Sequence, residues 1–431
     1  MLDIQYIRAN AAKVKQNTAN KQSKVNIDEL LLRDDSRRSV LRQVEDLRKQ
    51  RNELASAAKG AKPTAEQIAA GKNLKEKLAV LEVELETVEA GYKALIEQVP
   101  NMATDDVPVG ASEDENVVSK TVGDATLFSF HPKNHAEIAE AKGWLDKERA
   151  AKVAGARFAY LIGDLVMLDW AMNMFALSKL TDRAFIAKLI KDNGLKLSDK
   201  PFLPIQPPAV AKTAVYEATG RLDGENQTYK LNQDDLWLNA SAEHVLAPMY
   251  LDEVIPEEQL PLRYAGHTTA FRREAGTYGK DMEGFFRLHQ FNKLEMETFN
   301  TPETTMDEHL LMIAIQEALM QELKIPYRVV MKCTADIGKP NARGVDIDAW
   351  LPGQNKYRET HTADLITDYQ TRRMNTRLRR ADGKIELAHT NDATALSQRP
   401  LIAILENYQT ETGDVIIPEV LRPFMGGREQ I

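Results

Sequence analysis

Apolar residues recur at alternating intervals of four and three over residues 74–99, and this spacing forms the seam of a coiled coil. The positions are Leu74, Leu78, Leu81, Leu85, Val88, Tyr92, Leu95 and Val99. A shorter stripe precedes them at Val40, Val44, Leu47 and Leu54. The segment Lys59–Thr64, between the stripes, contains a glycine and a proline, which both end helices. Two helices joined by a short break pack antiparallel, so the pattern predicts a helical hairpin over about residues 27–99.

A second pattern, of strand-forming residues, occurs later in the chain. One such run ends at Phe271 and another starts at Phe286, with a polar, glycine-containing segment between them. This arrangement predicts two antiparallel strands joined by a long mobile loop. Arg272 and Glu274 are two residues apart, a spacing that puts both side chains on one face of a strand. Upstream, the proline-rich run Phe202–Val210 is typical of an edge or interface strand.

The chain between these two patterns lacks periodicity. Residues 100–117 combine proline, serine and acidic side chains, which is typical of a linker. We therefore predict an N-terminal domain over 1–105, a linker over 106–120 and a second domain over 121–431. Residues 1–26, before the hairpin, predict a short helix and a connector.

Length and composition limit the possible classes of protein. A chain of 431 residues, 43% of them apolar and 28% charged, suits a globular protein with two or more domains. It contains no run of eighteen apolar residues, so we expect no membrane span. The N-terminus lacks the apolar core and cleavage site of a secretory signal. Cys333 is the single cysteine, which excludes an internal disulfide and a cysteine-rich zinc site and favours a reducing cytoplasm.

The net charge of −8 argues against DNA and against non-specific nucleic-acid binding, which needs a broadly basic surface. An RNA partner would have to contact a local basic patch. The predicted hairpin offers one on its first helix and tip, at Arg33, Arg37, Arg38, Arg42, Arg48, Lys49, Arg51, Lys59, Lys62, Lys72, Lys75 and Lys77. From periodicity alone, a coiled coil is more often a dimerisation or spacer element, and that alternative stays open.

The predicted strand pair also carries candidate chemistry. Arg272 can bind an anion, Glu274 an amine, and Phe291 offers a flat face near Arg287. This set suits a nucleotide, with a guanidinium on the phosphate and an aromatic ring on the base.

The block FRRE, GTYGKD and RLHQFNKLE over residues 271–295 resembles motif 2 of the class II aminoacyl-tRNA synthetases, in the form that seryl-tRNA synthetases carry. FLPIQPPAV, with Pro207, is similar to motif 1, and SQRPLIAILENYQ is similar to motif 3. GDVIIPEVLRPFMGG resembles the family's C-terminal segment. The resemblance covers the chain from Met1 to Gly427.

The resemblance implies an α+β fold, in which residues 121–431 form a class II catalytic domain on an antiparallel sheet. It implies a helical arm that lies against the long variable arm of tRNA(Ser), and a homodimer with motif 1 at the interface. The implied activity forms seryl-adenylate from L-serine and ATP with Mg²⁺, and then transfers the seryl group to the 3′ end of the tRNA. The selenocysteine tRNA is a further implied acceptor.

The resemblance also implies roles for the charged residues. Arg272 would bridge the serine carboxylate and the α-phosphate, through a planar fork that lysine lacks. Arg399 would contact the terminal phosphate. The implied ATP contacts also include Arg273, Glu274, Arg287 and Phe291, with the adenine stacked on Phe291.

Magnesium would be held by Glu359 and the nearby hydroxyl of Thr362. The family has glutamate, any residue and two serines at this point, whereas this chain has Glu359-Thr360-His361-Thr362. All four positions are implied ATP contacts. We interpret His361 as a neutral hydrogen-bonding substitute, because no second histidine or cysteine stands at the spacing of a zinc site.

Serine would contact Ser241, Ala242, Glu243, Arg272, Glu295 and Thr394. The last contact depends on alignment, because the loop from His389 to Arg399 is one residue shorter than in the family and lacks glycine. Alignment on its first residues gives Thr394, and alignment on Arg399 gives Ala393. We choose Thr394 because it keeps a hydroxyl group.

Two other interpretations remain open. The chain could be a synthetase-like ligase that loads another acceptor, such as a carrier protein, although such a ligase would have no use for a basic arm. It could also be a non-catalytic paralogue that binds RNA or a partner through the coiled coil. Arg272, Glu295, Glu359 and Arg399 argue against this second interpretation, whereas Ser241, His361 and the shortened loop leave it open.

Overall fold

The computed structural model describes residues 1–57, 64–222, 227–274 and 283–431. It contains two compact units, Met1–Pro100 and Asn101–Ile431. No helix in these described ranges is both long and apolar enough to cross a membrane.

The first unit is helical. Its helices are α1 (Ile4–Ala9), α2 (Ala11–Asn20), α3 (Ile27–Ala57) and α4 (Ala65–Ile96). The Asp3 side chain caps α1, and Thr64 with Gln67 forms a capping box at the start of α4. The sequence predicted one short helix before residue 27, whereas the structure has two, separated at Asn10.

Helices α3 and α4 form the predicted hairpin. Their seam is built from predicted positions, with Val40, Val44 and Leu78 buried and Leu47, Leu81, Leu85 and Val88 packed against them. Arg37 lies over the Tyr92 ring at 4.6 Å, and Arg48 Nη2 lies 2.7 Å from Glu82 Oε1. Residue numbers rise along one helix as they fall along the other, so the helices are antiparallel. The predicted helix break falls largely on residues 58–63, which lie outside the described residues.

The second unit is built on an eight-stranded sheet. Its strands, with those of the smaller sheets, are β1 (Val117–Val122), β2 (Leu145–Asp146), β3 (Tyr160–Leu161), β4 (Leu203–Ile205), β5 (Val210–Lys212), β6 (Leu236–Leu238), β7 (Val254–Pro256), β8 (Leu262–Phe271), β9 (Gln290–Asn300), β10 (Tyr327–Met331), β11 (Arg343–Leu351), β12 (Lys356–Thr367), β13 (Arg377–Arg379), β14 (Ile385–Leu387) and β15 (His389–Ser397). The order in the large sheet is β1-β10-β11-β12-β15-β9-β8-β4. All neighbours in it are antiparallel except β4 and β8.

Helices cover one face of this sheet. The helices of the unit are α5 (His135–Ala141), α6 (Lys147–Ala154), α7 (Asp164–Leu180), α8 (Arg183–Asp192), α9 (Thr213–Ala218), α10 (Glu243–Leu246), α11 (Thr305–Glu322), α12 (Tyr369–Met374) and α13 (Gln398–Asn407). Ile315 of α11 and Leu401 of α13 belong to the same hydrophobic core as Met296 and Ala363 of the sheet. Because side chains alternate across a strand, the polar residues of the same strands lie on the opposite face.

The predicted strand pair is confirmed, with corrections to its ends. Strands β8 and β9 pair antiparallel, with Ala270 opposite Phe291. However, β8 ends at Phe271, so Arg272 and Glu274 do not lie in a strand, and β9 begins at Gln290 rather than at Phe286. The predicted loop falls largely on residues 275–282, which lie outside the described ranges.

The predicted extended segment around motif 1 contains β4, which is the last strand at one edge of the large sheet. Its three residues pair parallel to β8, with Pro204 opposite Ala265. The position agrees with the prediction of an edge strand, since a proline cannot donate to a neighbouring strand on that side.

Candidate active site

A cavity of about 270 Å³ opens on the polar face of the large sheet. Among its lining residues are Glu243, Arg272, Glu274, Arg287, Phe291, Glu295, Glu359, Thr360, Thr362, Thr394 and Arg399, all of them predicted from the sequence. The lining also includes residues that the sequence did not single out, namely Arg221, Phe286, Leu288, Lys293, Lys332, Asp364, Asp392, Ser397 and Gln398.

Strand alternation explains how β9 and β15 contribute to the cavity. Phe291, Lys293 and Glu295 are two residues apart along β9 and all line it. Thr394 of β15 is the cross-strand partner of Glu295 and also lines it. Ala393, the alternative to Thr394, belongs to the hydrophobic core on the other face.

A β-bulge shapes the contribution of β12. Glu359 and Thr362 are three residues apart, a spacing that would put them on opposite faces of a regular strand. Along β11, however, Ile347 pairs with His361 and Asp348 pairs with Glu359, so Thr360 is the extra residue. The bulge therefore brings both Glu359 and Thr362 to the cavity.

One end of the cavity holds an ion pair. Arg399 is the second residue of α13, so it lies inside the helix rather than before it, and its Nη1 is 3.0 Å from Glu359 Oε1. Desolvation raises the pKa of Glu359, but Arg399 and then Lys332 outweigh it and lower the pKa to about 2. Glu359 is therefore an anion at neutral pH. Arg399 also lies over the Phe286 ring, 4.9 Å from its centroid.

Arg272 and Glu274 reach the same cavity although they leave the strand. The Arg272 Nε donates to the Ala240 carbonyl at 3.1 Å, and its guanidinium lies 5.2 Å from the Phe291 ring centroid. Glu274 has a φ of 51° and its carboxylate lies 3.3 Å from Arg287 Nε. The cavity thus presents cations and an aromatic face together.

Glu295 is the centre of a second polar group in the cavity. Ser241 Oγ donates to Glu295 Oε2, and the Glu243 backbone N–H donates to the same oxygen at 3.1 Å. Lys293 pairs with Glu295 Oε1, and it donates to Ser241 Oγ at 3.1 Å. These contacts hold the Glu295 carboxylate beside Thr394.

Arg221 forms a third polar group, with three carboxylates. Its nitrogens lie 3.2 Å from Glu243, 3.4 Å from Asp364 and 2.8 Å from Asp392. Burial raises the pKa of Glu243, but Arg221 reverses this effect and holds it well below its usual range. Burial raises the pKa of Asp392 well above its usual range; Arg221 opposes this rise, and the nearby Glu243 adds to it.

Four predicted site residues do not line the cavity. Ser241 and Ala242 are buried beneath it. Arg273 lies over the Tyr229 ring, 4.7 Å from its centroid. His361 is buried, and its Nδ1 lies 2.8 Å from Thr360 Oγ.

His361 agrees with its interpretation as a neutral residue. Burial lowers its pKa to about 3, so the ring is uncharged at neutral pH. In the strand register it pairs with Ile347, a core residue, and it therefore lies on the helix-covered face rather than on the cavity face.

The predicted magnesium residues fit only one type of metal site. Among the described residues, no group of three or more histidine, cysteine, aspartate or glutamate side chains could hold a metal ion. Thr362 Oγ lies 3.4 Å from Glu359 Oε1 and donates to Asp346 Oδ1 at 2.7 Å. Burial raises the pKa of Asp346 strongly, whereas the pKa of Glu359 is lowered, so Glu359 is the ionised carboxylate beside Thr362. One carboxylate with a hydroxyl suits Mg²⁺ that takes its other ligands from phosphates and water.

Comparisons with known proteins cover both units. Residues 227–408 match the family described as tRNA synthetase class II core domain (G, H, P, S and T), and residues 1–103 match the Seryl-tRNA synthetase N-terminal domain. The chain is 37% identical over 440 residues to the serine–tRNA ligase of Methanospirillum hungatei, with 100% of each chain covered.

Solved structures of the same kind of enzyme also match the chain over its full length. The crystal structure of seryl-tRNA synthetase from Pyrococcus horikoshii complexed with ATP matches with a TM-score of 0.88 and 36% identity, covering 100% of this chain and 99% of that one. The cytoplasmic serine-tRNA ligase from Naegleria fowleri in complex with AMP matches with a TM-score of 0.83 and 27% identity, covering 100% and 98%.

Proposed function

The chain belongs to the seryl-tRNA synthetase family, and from this premise we propose that it activates L-serine with ATP and charges tRNA(Ser). The observation that carries the proposal is the convergence of Arg272, Glu359 and Arg399 on one cavity. Two guanidinium groups and an ionised carboxylate match a carboxylate substrate, a triphosphate and a divalent cation.

ATP occupies the end of the cavity that contains Arg399, Arg287 and Phe291. The relative from Pyrococcus horikoshii was solved with ATP, which supports this assignment. The adenine stacks on Phe291, Glu274 and Arg287 bind around the base and phosphates, and Arg399 binds the terminal phosphate. Thr360 lines the cavity, whereas Arg273 and His361 do not and act from the edge or from below.

Serine occupies the end that contains Glu243, Glu295 and Thr394. Its ammonium group binds Glu243, while Glu295 and Thr394 accept and donate hydrogen bonds at its hydroxyl. Ser241 and Ala242 support this end from beneath. A site that hydrogen-bonds a substrate hydroxyl rejects an analogue without it by factors of about 10⁴.

The first reaction is the attack of the serine carboxylate on the α-phosphate, with pyrophosphate leaving. The carboxylate is already an anion, so the step needs neither a protein nucleophile nor a general base. Arg272 holds the two reacting anions together, with its backbone-bonded Nε fixing the direction of the guanidinium. Glu359 and Thr362 hold Mg²⁺, which neutralises charge on the phosphates.

The second reaction transfers the seryl group to the 3′ end of tRNA(Ser), with tRNA(Sec) as a further acceptor. The predicted domain over residues 1–105 binds the tRNA through the hairpin at about 27–99. The predicted linker at 106–120 and catalytic domain over 121–431 differ from the observed units, because the second unit begins at Asn101 and residues 117–120 already belong to strand β1. Arg38, Arg42 and Lys49 are exposed on α3 and supply positive charge for the phosphates. Cytoplasmic location is part of the same proposal.

The catalytic unit acts as a homodimer. Met167, Trp170 and Met174 follow each other at helical spacing on α7 and are all exposed, and Trp170 is 62% exposed. Leu203 of the edge strand β4 is exposed as well. Large apolar side chains arranged in a stripe are typical of a protein interface.

Pyrophosphate exchange with each of the twenty amino acids tests the proposal. We expect exchange with serine only, and charging of tRNA(Ser) by the same preparation. No serine-dependent exchange from folded protein would overturn the proposal and favour a binding protein. Exchange without tRNA charging would instead favour a ligase for another acceptor.

A further inference from the structure

Arg221 joins parts of the catalytic unit that are far apart in sequence. It follows Gly220, whose φ of 74° turns the chain after α9 and directs Arg221 to the cavity. Its three carboxylate partners come from α10, β12 and β15. The Arg221 side chain is 15% exposed, and its partners are less exposed still. Arginine in such a place is held by several charges and therefore has a defined position.

Glu243 is the partner that faces the serine end of the cavity. The charged and titratable groups around its carboxylate are Arg221, His244, Tyr216, Asp364, Asp392, Glu295 and Glu297. Burial lowers the pKa of His244, so its ring is neutral at pH 7. Arg221 is thus the cation at 3.2 Å from Glu243 Oε1; His244 and Tyr216 are the neutral titratable neighbours of Glu243, and the rest are carboxyl groups.

Without that cation, the acidic groups would repel each other and Glu243 would take up a proton. Glu297, on the same face of β9 as Glu295, shows how a carboxyl group behaves here without a cation. Its carboxylate oxygens make no hydrogen bond within the described residues, and burial with repulsion from Glu243 and Glu295 raises its pKa well above its usual range. Glu297 is therefore neutral, whereas Glu243, in contact with Arg221, stays ionised.

We propose that Arg221 is a positioning residue for the amino acid substrate: it holds the Glu243 carboxylate in place as the anion that binds the substrate's ammonium group. The inference rests on the proposed function, because it requires an amino acid at this end of the cavity. Arg221 itself does not have to touch the substrate. Its own positive charge is paired with the Glu243 carboxylate and lies beside two further carboxyl groups, and Glu295 lines the same cavity, so the site can still accept an ammonium ion.

Arg221→Met tests this inference by removing the charge with little change of volume. In serine-dependent pyrophosphate exchange, we expect the KM for serine to rise by at least about tenfold, since a buried charged contact is lost, and the KM for ATP to change by less than about twofold. The acid limb of kcat/KM for serine moves to higher pH, because loss of Arg221 raises the pKa of Glu243. Arg221→Lys should give a KM for serine between those of Arg221→Met and the unmodified chain, since lysine keeps a point charge but not the planar fork.

Arg380→Met is the matched control. Arg380 also pairs with three carboxylates, Glu257, Glu303 and Glu386, and its side chain is 17% exposed, but it does not line the cavity. We expect it to leave the KM for serine and the pH profile unchanged. An unchanged serine KM in Arg221→Met, or an equal rise of the serine and ATP KM values, would overturn the inference.

Failure of the inference differs from failure of the proposed function. If the unmodified chain shows no serine-dependent exchange, the proposed function fails, whereas an active chain that is indifferent to Arg221→Met contradicts only this inference. If Arg221→Met does not fold, Arg221→Lys becomes the test variant, since lysine keeps the charge but not the planar fork. A serine KM in folded Arg221→Lys equal to that of the unmodified chain overturns the inference, and a raised serine KM with a normal ATP KM supports it.

Discussion

Glu359 Oε1 and Arg399 Nη1 lie 3.0 Å apart, and the same Nη1 donates to the Glu359 carbonyl oxygen at 3.1 Å. The two residues come from β12 and α13, which the fold brings together at one end of the cavity. A triphosphate with a divalent cation matches both groups at once, because the phosphate binds the guanidinium and the cation binds the carboxylate. In the proposed complex, this pair is the part of the site at which phosphate and metal binding meet.

Glu359→Gln should raise the Mg²⁺ concentration needed for half-maximal pyrophosphate exchange. The amide keeps the shape of the side chain but loses the charge that attracts a hard cation. Loss of a group that only orients a metal ligand typically costs 10- to 100-fold, so loss of a ligand's own charge should cost at least about 10-fold, or about 1.4 kcal/mol. Glu303→Gln is the control, since Arg380 lowers the pKa of Glu303 to about 2 outside the cavity. Equal Mg²⁺ requirements in the two variants would contradict the assignment of Glu359 as a ligand.

The pH dependence of stability should also reveal the ionisation of Glu359. Its pKa in the folded protein, about 2, lies below the value of about 4.3 for an unfolded glutamate, so its ionisation stabilises the fold above that unfolded value. We expect the difference in Tm between the unmodified chain and Glu359→Gln to be constant above about pH 5 and to shrink as the pH falls toward 2. Thermal unfolding in Mg²⁺-free buffer measures this, and a difference that grows on acidification would contradict the ionised state.

Arg272→Ala should abolish adenylate formation. Removal of one preorganised electrostatic contact at the reacting group lowers kcat by about 10²–10³, and in the proposed mechanism Arg272 contacts two anions, so a loss at the upper end is expected. Arg272→Lys should recover little, because an ammonium group cannot bridge two anions as a planar fork does. Pyrophosphate exchange measures both, while binding of tRNA(Ser) to Arg272→Ala should remain near normal. An equal loss of exchange and tRNA binding would contradict the division of functions between the two units.

The sequence predicted what is periodic or contiguous. The apolar seam repeats at fixed spacing along each of α3 and α4, so the spacing alone predicts that Val44 and Leu78 face the partner helix, and both are buried there. The pair β8 and β9 was predicted for the same reason, although its ends were not, because Glu274 takes a positive φ that no strand pattern indicates.

The rest of the cavity depends on contacts between distant positions. Arg221 lies in a loop and meets Asp364 and Asp392 at separations of 143 and 171 residues, so no local spacing could identify it. The bulge at Thr360 is equally hidden, since it appears only in the pairing of β12 with β11. Regular alternation would have separated Glu359 from Thr362, and motif resemblance rather than periodicity placed them together.

Reversal of charge on α3 should weaken tRNA binding without affecting amino acid activation. Arg38, Arg42 and Lys49 are exposed, so their replacement by glutamate leaves the seam of the hairpin intact. We expect a higher KM for tRNA(Ser) and a smaller dependence of binding on salt, by about one unit of slope per lost phosphate contact. Pyrophosphate exchange should be unchanged.

A matched triple substitution on the other unit controls for total charge. Lys152, Lys188 and Lys384 are exposed lysines of the catalytic unit, and none of them lines the cavity. Their replacement by glutamate should raise the KM for tRNA(Ser) less than the triple substitution on α3 does. If both triple variants bind tRNA equally poorly, repulsion by the total negative charge of the chain, rather than the loss of contacts on α3, explains the weaker binding.

Trp170→Asp should convert the proposed homodimer into a monomer. Trp170 is the centre of the exposed stripe on α7, and a charge at the centre of an apolar interface loses its hydration without gaining a partner. Leu127→Asp is the control, because Leu127 is 89% exposed but lies outside the stripe. Sedimentation velocity of the full chain should show a dimer for the unmodified chain and for Leu127→Asp. A dimer that survives Trp170→Asp would mean that the stripe on α7 does not form the interface, and the edge strand β4 with Leu203 would then be the next surface to test in the same way.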